Sequence, residues 1–238
     1  PSAVRHRLLY QSPAMRKSIF IASLLVMTTA AHAGVIIEGT RLIYQGDKKE
    51  ASLGLSNPDN LDYLVQSWVE SADNARDNAP FLITPPLFRL DGKQDNILRV
   101  VRTGGNLPTD RESLYWLNIK SIPSTNHDES NNTLQIAIKT RIKLIYRPTG
   151  ISGKPDEVAE KLRWHKQGNT LVVSNPTPFY MNFQAITVGG KKVSNVTWVA
   201  PDSDAHFAVP GGITGSTVSW KIINDYGAVS HAWSAPLQ

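Results

Sequence analysis

The chain has 238 residues, 41% hydrophobic and 19% charged, with 15 prolines and 16 glycines. That composition supports one large folded domain or two ordinary ones and excludes disorder and collagen-like repetition. Lys and Arg outnumber Asp and Glu by 25 to 20, while the lack of cysteine excludes a disulfide scaffold, a thiol nucleophile and every cysteine-based metal site.

In chain order the first element is a leader. Met15 is followed by Arg16 and Lys17, an apolar run from Ile19 to Met27, and Ala31-His32-Ala33. A basic start, a short apolar run and an A-x-A site predict a signal peptide over 15–33, cleaved after Ala33. The run is too short for a transmembrane helix, and no later stretch reaches the ~18 consecutive apolar residues that spanning needs. No stable membrane insertion is expected. Residues 1–14 read as an upstream extension, outside the mature fold. The leader carries Arg5, Arg7, Arg16 and Lys17 and no acid. The 25 basic residues less these four leave 21 against 20 acidic, a balanced surface that makes no case for nucleic acid.

From Gly34 onward the hydrophobic period is two. Segments 51–56, 63–70, 114–120 and 216–223 alternate apolar and polar residues and are rich in β-branched and aromatic side chains, as half-buried strands are. Asn57-Pro58, Thr84-Pro85-Pro86, Asp91-Gly92, Gly104-Gly105, Asn175-Pro176, Gly189-Gly190 and Gly211-Gly212 supply turns between them. Only Pro155 to Lys161 reads as a helix, about two turns long. The polar Pro/Gly stretch from Arg147 to Pro155 predicts a boundary. The fold class expected is all-β, two immunoglobulin-like sandwiches over 34–150 and 151–238, with a single large barrel as the alternative.

Catalytic patterns are missing. There is no H-E-x-x-H, nucleophile elbow, P-loop or dinucleotide fingerprint, and His165, His206 and His231 have no useful sequence neighbours. Asp202 and Asp204 lack the further spaced carboxylates of a calcium loop and read as solvated loop acids. Neither an enzymatic activity nor a metal or cofactor is expected. Trp68, Trp116, Trp198, Trp220 and Trp233 mostly alternate with polar residues and are assigned to the core.

The segment from Asn131 to Pro148 is the most informative. Leu134, Ile136, Ile138, Thr140, Ile142 and Leu144 share one face, and Gln135, Lys139, Arg141 and Lys143 the other. At about 13 residues it exceeds the usual strand. Taken alone, alternation is what any core strand shows; the other reading is that its first half offers Leu134, Ile136 and Ile138 to another chain.

Several motifs in one order here resemble the periplasmic pilus chaperones of the chaperone–usher pathway, the PapD-like family. They are Gly39-Thr-Arg-Leu-Ile-Tyr44, Gln66-Ser-Trp-Val-Glu70, Ile83-Thr-Pro-Pro86, Pro108 to Trp116, Arg141-Ile-Lys-Leu-Ile-Tyr-Arg-Pro148, Asn175-Pro-Thr-Pro178 and Ile223-Asn-Asp-Tyr-Gly227. The resemblance implies two sandwiches with a cleft between them and a chaperone that lends a strand to incomplete pilus subunits, one to one, before an outer-membrane usher receives them. It implies that Leu134, Ile136 and Ile138 fill the subunit's groove, that Arg41 and Lys143 bind the subunit's terminal carboxylate, and that Glu112, Arg147 and Asp225 form an interdomain charge network. The polar segment from Ser121 to Thr133 resembles the family's short-loop branch. Lys143 has the opposite parity from Ile136 and Ile138, so a twist or bulge is expected to reconcile them. A pilus subunit or adhesin and a carbohydrate-binding sandwich are the alternatives, and self-association of the free chain over its exposed edge is left open. Against the first, the chain has no cysteine and ends Ala235-Pro-Leu-Gln238.

Overall fold

Period-two alternation sends one set of side chains into a shared interior and the other outward, so the strands stack as pairs of sheets. The computed structural model describes residues 34–72, 79–124 and 135–238. The predicted signal peptide, the upstream extension, Leu134 and most of the 121–133 segment lie outside the described residues.

One sandwich packs a sheet of β1 (Ile36–Ile37), β3 (Glu50–Ser56), β7 (Asp95–Arg102) and β5 (Phe81–Thr84) against a second sheet. The second runs in the order β2 (Arg41–Gln45), β9 (Ile138–Arg147), β8 (Ser113–Pro123), β4 (Tyr63–Ser71) and β6 (Leu87–Leu90). Leu55, Val65, Leu98, Val100, Leu117 and Leu144, fully buried, fill the space between them. The β2–β9 pair is parallel, whereas the other neighbours in these two sheets are antiparallel.

A short helix α1 (Pro155–Val158) opens the second sandwich, with the Lys154 N–H donating to the Glu157 carboxylate at 3.0 Å, and a 3-10 turn (Ala159–Lys161) follows. One of its sheets holds β10 (Arg163–Gln167), β11 (Thr170–Asn175) and β15 (Ser203–Ala208). The other runs β13 (Lys191–Lys192), β12 (Met181–Val188), β16 (Thr217–Ile222) and β17 (Trp233–Pro236), with β14 (Trp198–Val199) paired to the start of β12. Trp164, Phe179, Met181, Ile186 and Trp220 fill a core separate from the first. The two Asn-Pro turns do equivalent work. Buried Asn57 donates to the Leu61 and Asp91 carbonyls, and buried Asn175 to those of Phe179 and Ala200, tying a loop across each sandwich end.

Two expectations about the long strand need correction. It starts at Ile138, so residues 135–137 precede it. The reason lies on its neighbour: the β8–β9 ladder ends at Ser121↔Ile138, and two residues on stands Pro123, which has no N–H to extend it. Nor is there a bulge. The β8–β9 register runs without a shift from Ser121↔Ile138 to Ser113↔Tyr146, and Lys143 stays on the face opposite Ile138 and Ile142.

Candidate functional site

The parallel β2–β9 pairing begins at Arg41↔Lys143. Ahead of that point β9 is bonded to β8 alone, and among the described residues no strand covers its other side from Ile138 to Ile142. Five residue steps at ~3.3 Å make this an open edge of roughly 17 Å. Ile138 is 44% exposed and Ile136, just ahead of the strand, 64%. A strand laid along this edge parallel to β9 continues the line of β2, and its last residue meets Arg41 and Lys143.

Arg41 and Lys143 are half-buried neighbours of like sign. Burial, reinforced by the Arg41 charge, lowers the Lys143 ammonium to about 8. Burial also lowers the Arg41 guanidinium, against the pull of Asp225. Their hydrogen-bond partners are neutral: Arg41 Nη1 donates to the Ile223 carbonyl at 3.2 Å and Lys143 Nζ to Asn182 Oδ1 at 2.6 Å. The buried Nε of Arg41 has no acceptor among the described residues. Two partly desolvated cations without a carboxylate at ion-pair distance among the described residues have the charge and donors to hold an anion.

The face that carries Lys143 continues as alternating cations and indoles. Lys143 Nζ lies 4.5 Å from the Trp198 ring centroid, the Arg141 guanidinium 4.3 Å from that of Trp116, and Lys139 Nζ 5.0 Å from that of Trp68. Trp116 and Trp198 meet edge to face at 5.8 Å across the two domains. Glu70 accepts from Trp68 Nε1 at 2.8 Å, a bond that leads in lowering its carboxyl pKa, and lies 3.5 Å from Arg141. Trp220 is core as expected, but Trp68 and Trp116 are half-buried on this outer face, and Trp198 is half-buried against it from the second domain. Alternation marks two faces without telling which one looks into a cleft.

Glu112, Arg147 and Asp225 come together. Arg147 Nε donates to Glu112 Oε1 at 2.7 Å, and its two terminal nitrogens clasp both Asp225 oxygens at 2.7 and 2.8 Å. Their side chains are 6%, 0% and 13% exposed for Arg147, Glu112 and Asp225. Glu112 Oε2 also accepts the Tyr180 N–H at 2.7 Å. Burial raises the Glu112 carboxyl to about 7 in spite of Arg147; burial lowers the Arg147 guanidinium, but the two carboxylates together hold it above its ordinary value. Gly227 suits the Asp225 loop: its φ is +82°, and a Cβ there would fall 2.9 Å from Thr40 Oγ1, so any other residue would strain the backbone and displace that side chain.

Sequence reasoning named Arg41, Lys143 and the network triad but missed Asn182 and Trp198. Neither carried a signal, because each meets Lys143 only through the packing of one domain on the other.

Two immunoglobulin-like sandwiches, an open strand edge and paired cations between the domains define the class of protein by its fold. Residues 34–152 match the model for the pili and flagellar-assembly chaperone PapD N-terminal domain, and 157–234 that for the pili assembly chaperone PapD C-terminal domain. The chain belongs to the PapD-like pilus assembly chaperones, a family of assembly factors and not of enzymes. It is 43% identical to the chaperone protein FimC of Escherichia coli O6:H1 over 87% of this chain and 86% of the relative. It is 41% identical to the chaperone protein FocC of Escherichia coli over 91% and 96%. Among solved structures, a chain of the Salmonella enterica SafA pilin–SafB chaperone complex superposes with a TM-score of 0.81 at 43% identity, covering 87% of this chain and 97% of that one. The E. coli chaperone DraB gives 0.79 at 42% identity, over 86% and 97%. A further solved relative, SfaE, is a periplasmic chaperone, 37% identical with a TM-score of 0.73. No helix among the described residues is long and apolar enough to cross a membrane.

Proposed function

We propose that this chaperone captures an incomplete pilus subunit, one to one, along the open edge of β9 and fixes the subunit's C-terminal carboxylate on Arg41 and Lys143. The observation that carries the reading is that the open edge ends where the two cations stand, at the Arg41↔Lys143 register. The parity of Lys143 then needs no bulge. A terminal carboxylate leaves a strand in the plane of the sheet, within reach of cations rooted on either face.

Side chains from the first half of the segment fill the subunit's groove. Full burial of Leu134, Ile136 and Ile138 at ~1.5–3 kcal/mol each would supply roughly 5–9 kcal/mol, and the gain is smaller by what Ile136 and Ile138 already bury, before ordering costs. Backbone bonds complete the subunit's sheet, as in other strand-addition complexes; chaperone–pilin pairing is itself an established example of that mode. The network of Glu112, Arg147 and Asp225 orients the two domains, a role that suits a buried ion cluster better than stabilisation does. Residues 34–150 form the subunit-binding domain and 151–238 the second. Residues 15–33 export the chain, with cleavage after Ala33. Family membership supports delivery to an outer-membrane usher, and the length of 121–133 supports the short-loop branch.

Periplasmic co-expression with a candidate subunit, followed by pull-down, tests the reading. Arg41→Ala and Lys143→Ala variants are expected to fold normally and to leave the subunit degraded or aggregated. Normal rescue by the double variant overturns the anchor.

A further inference from the structure

Lys143 belongs to the first domain, but the residues that hold its ammonium belong to the second. Asn182, near the start of β12, is buried, and its Oδ1 accepts from Lys143 Nζ at 2.6 Å. Lysine only donates, so the amide oxygen is the atom turned toward it. Asn182 pairs across the ladder with Trp198, whose ring centroid lies 4.5 Å from the same Nζ. The main chain of Asn182 serves the other cation. Its carbonyl accepts the Ile223 N–H at 2.8 Å, and the Ile223 carbonyl accepts from Arg41 at 3.2 Å. One residue therefore touches Lys143 directly and reaches Arg41 through a single intervening residue, Ile223.

The chemistry of these contacts suits an anion site. An amide oxygen and a ring face orient an ammonium without neutralising it, whereas a carboxylate in that place would occupy the charge. A lysine stem is long and flexible, and holding it beforehand spares the ordering cost when a ligand arrives.

We propose that Asn182, with Trp198 beside it, is a positioning residue of the carboxylate site, aiming Lys143 at the end of the β9 edge and making the second domain part of subunit recognition. The inference rests on the anchor reading above.

The test compares a synthetic peptide of alternating apolar and polar residues ending in a free carboxylate with its C-terminal amide. Fluorescence anisotropy gives both affinities for the full chaperone and for Asn182→Ala, Asn182→Asp and Trp198→Leu. The unaltered protein is expected to prefer the acid. Asn182→Ala loses about tenfold in affinity for the acid and nothing for the amide. Asn182→Asp loses at least as much, since its own carboxylate competes for Lys143, and Trp198→Leu loses part of the same preference. The acid-to-amide ratio is internal to each variant, so partial unfolding does not mimic the effect. An unchanged ratio in both Asn182 variants overturns the positioning role and leaves the anchor standing. Equal affinities in the unaltered protein overturn the anchor itself.

Discussion

Ile136→Ser separates a docking side chain from a core one. Ile136 is 64% exposed and precedes the ladder, so in the free chaperone about two-thirds of its surface still faces water. Full burial of an isoleucine is worth ~1.5–3 kcal/mol, which leaves ~1–2 kcal/mol to be gained when a subunit covers it. The substitution is therefore expected to weaken capture by roughly 5–30-fold. Stability should hardly respond: a surface change away from any packed feature stays within ~0.5 kcal/mol, or no more than ~4 °C in Tm for a domain of this size. Leu144, fully buried in β9, is the internal control, since Leu144→Ala should cost ~2–5 kcal/mol. Thermal melts and titration of a denatured subunit into each variant supply both quantities. If Ile136→Ser lowered Tm as Leu144→Ala does while leaving capture intact, the docking assignment would be wrong.

Further expectations follow from the charges. Lys143, at about 8 in the folded chain against 10.5 ordinarily, binds fewer protons folded than unfolded in that interval, so free-chain stability rises with pH there. Capture moves the opposite way, falling up to about tenfold per pH unit above about 8 as the ammonium is lost; capture that stays flat across the interval would refute this. Arg147→Ala strands two carboxylates and should cost ~3–5 kcal/mol. Because Glu112 already sits up near about 7, folded Glu112 holds its proton more tightly than unfolded, and stability is lost as pH rises toward that value. Without Arg147 the Glu112 carboxyl moves higher still, so denaturant melts should show a larger deficit at pH ~8 than at pH ~5. Equal deficits would show that Arg147 does not control that carboxyl.

Period-two alternation at 51–56, 63–70 and 114–120 was enough to place β3, β4 and β8, because each buries one face in its own sandwich. What alternation does not encode is the neighbour. The late start of β9 depends on Pro123 across the hairpin, and the half-buried indole of Trp116 depends on Trp198 of the second domain facing its sheet. Arg41 and Lys143 could be named from motif resemblance, yet the reason they stand together is a parallel ladder joining residues about a hundred positions apart. Asn182 and Trp198 reach Lys143 from the other domain, about 40 and 55 positions further on, and nothing local to either position marks them.

An exposed strand edge invites pairing with any other, including its own image. Here the side chains bordering the edge on one face are Lys139, Arg141 and Lys143. Two copies joined edge to edge would bring these three cations toward three more, a repulsion that salt would weaken. A visitor whose strand ends in a carboxylate meets the same row as attraction. The edge is thus open by backbone and bordered by charge, so pairing of two copies should grow with salt, as sedimentation at low and high ionic strength would read.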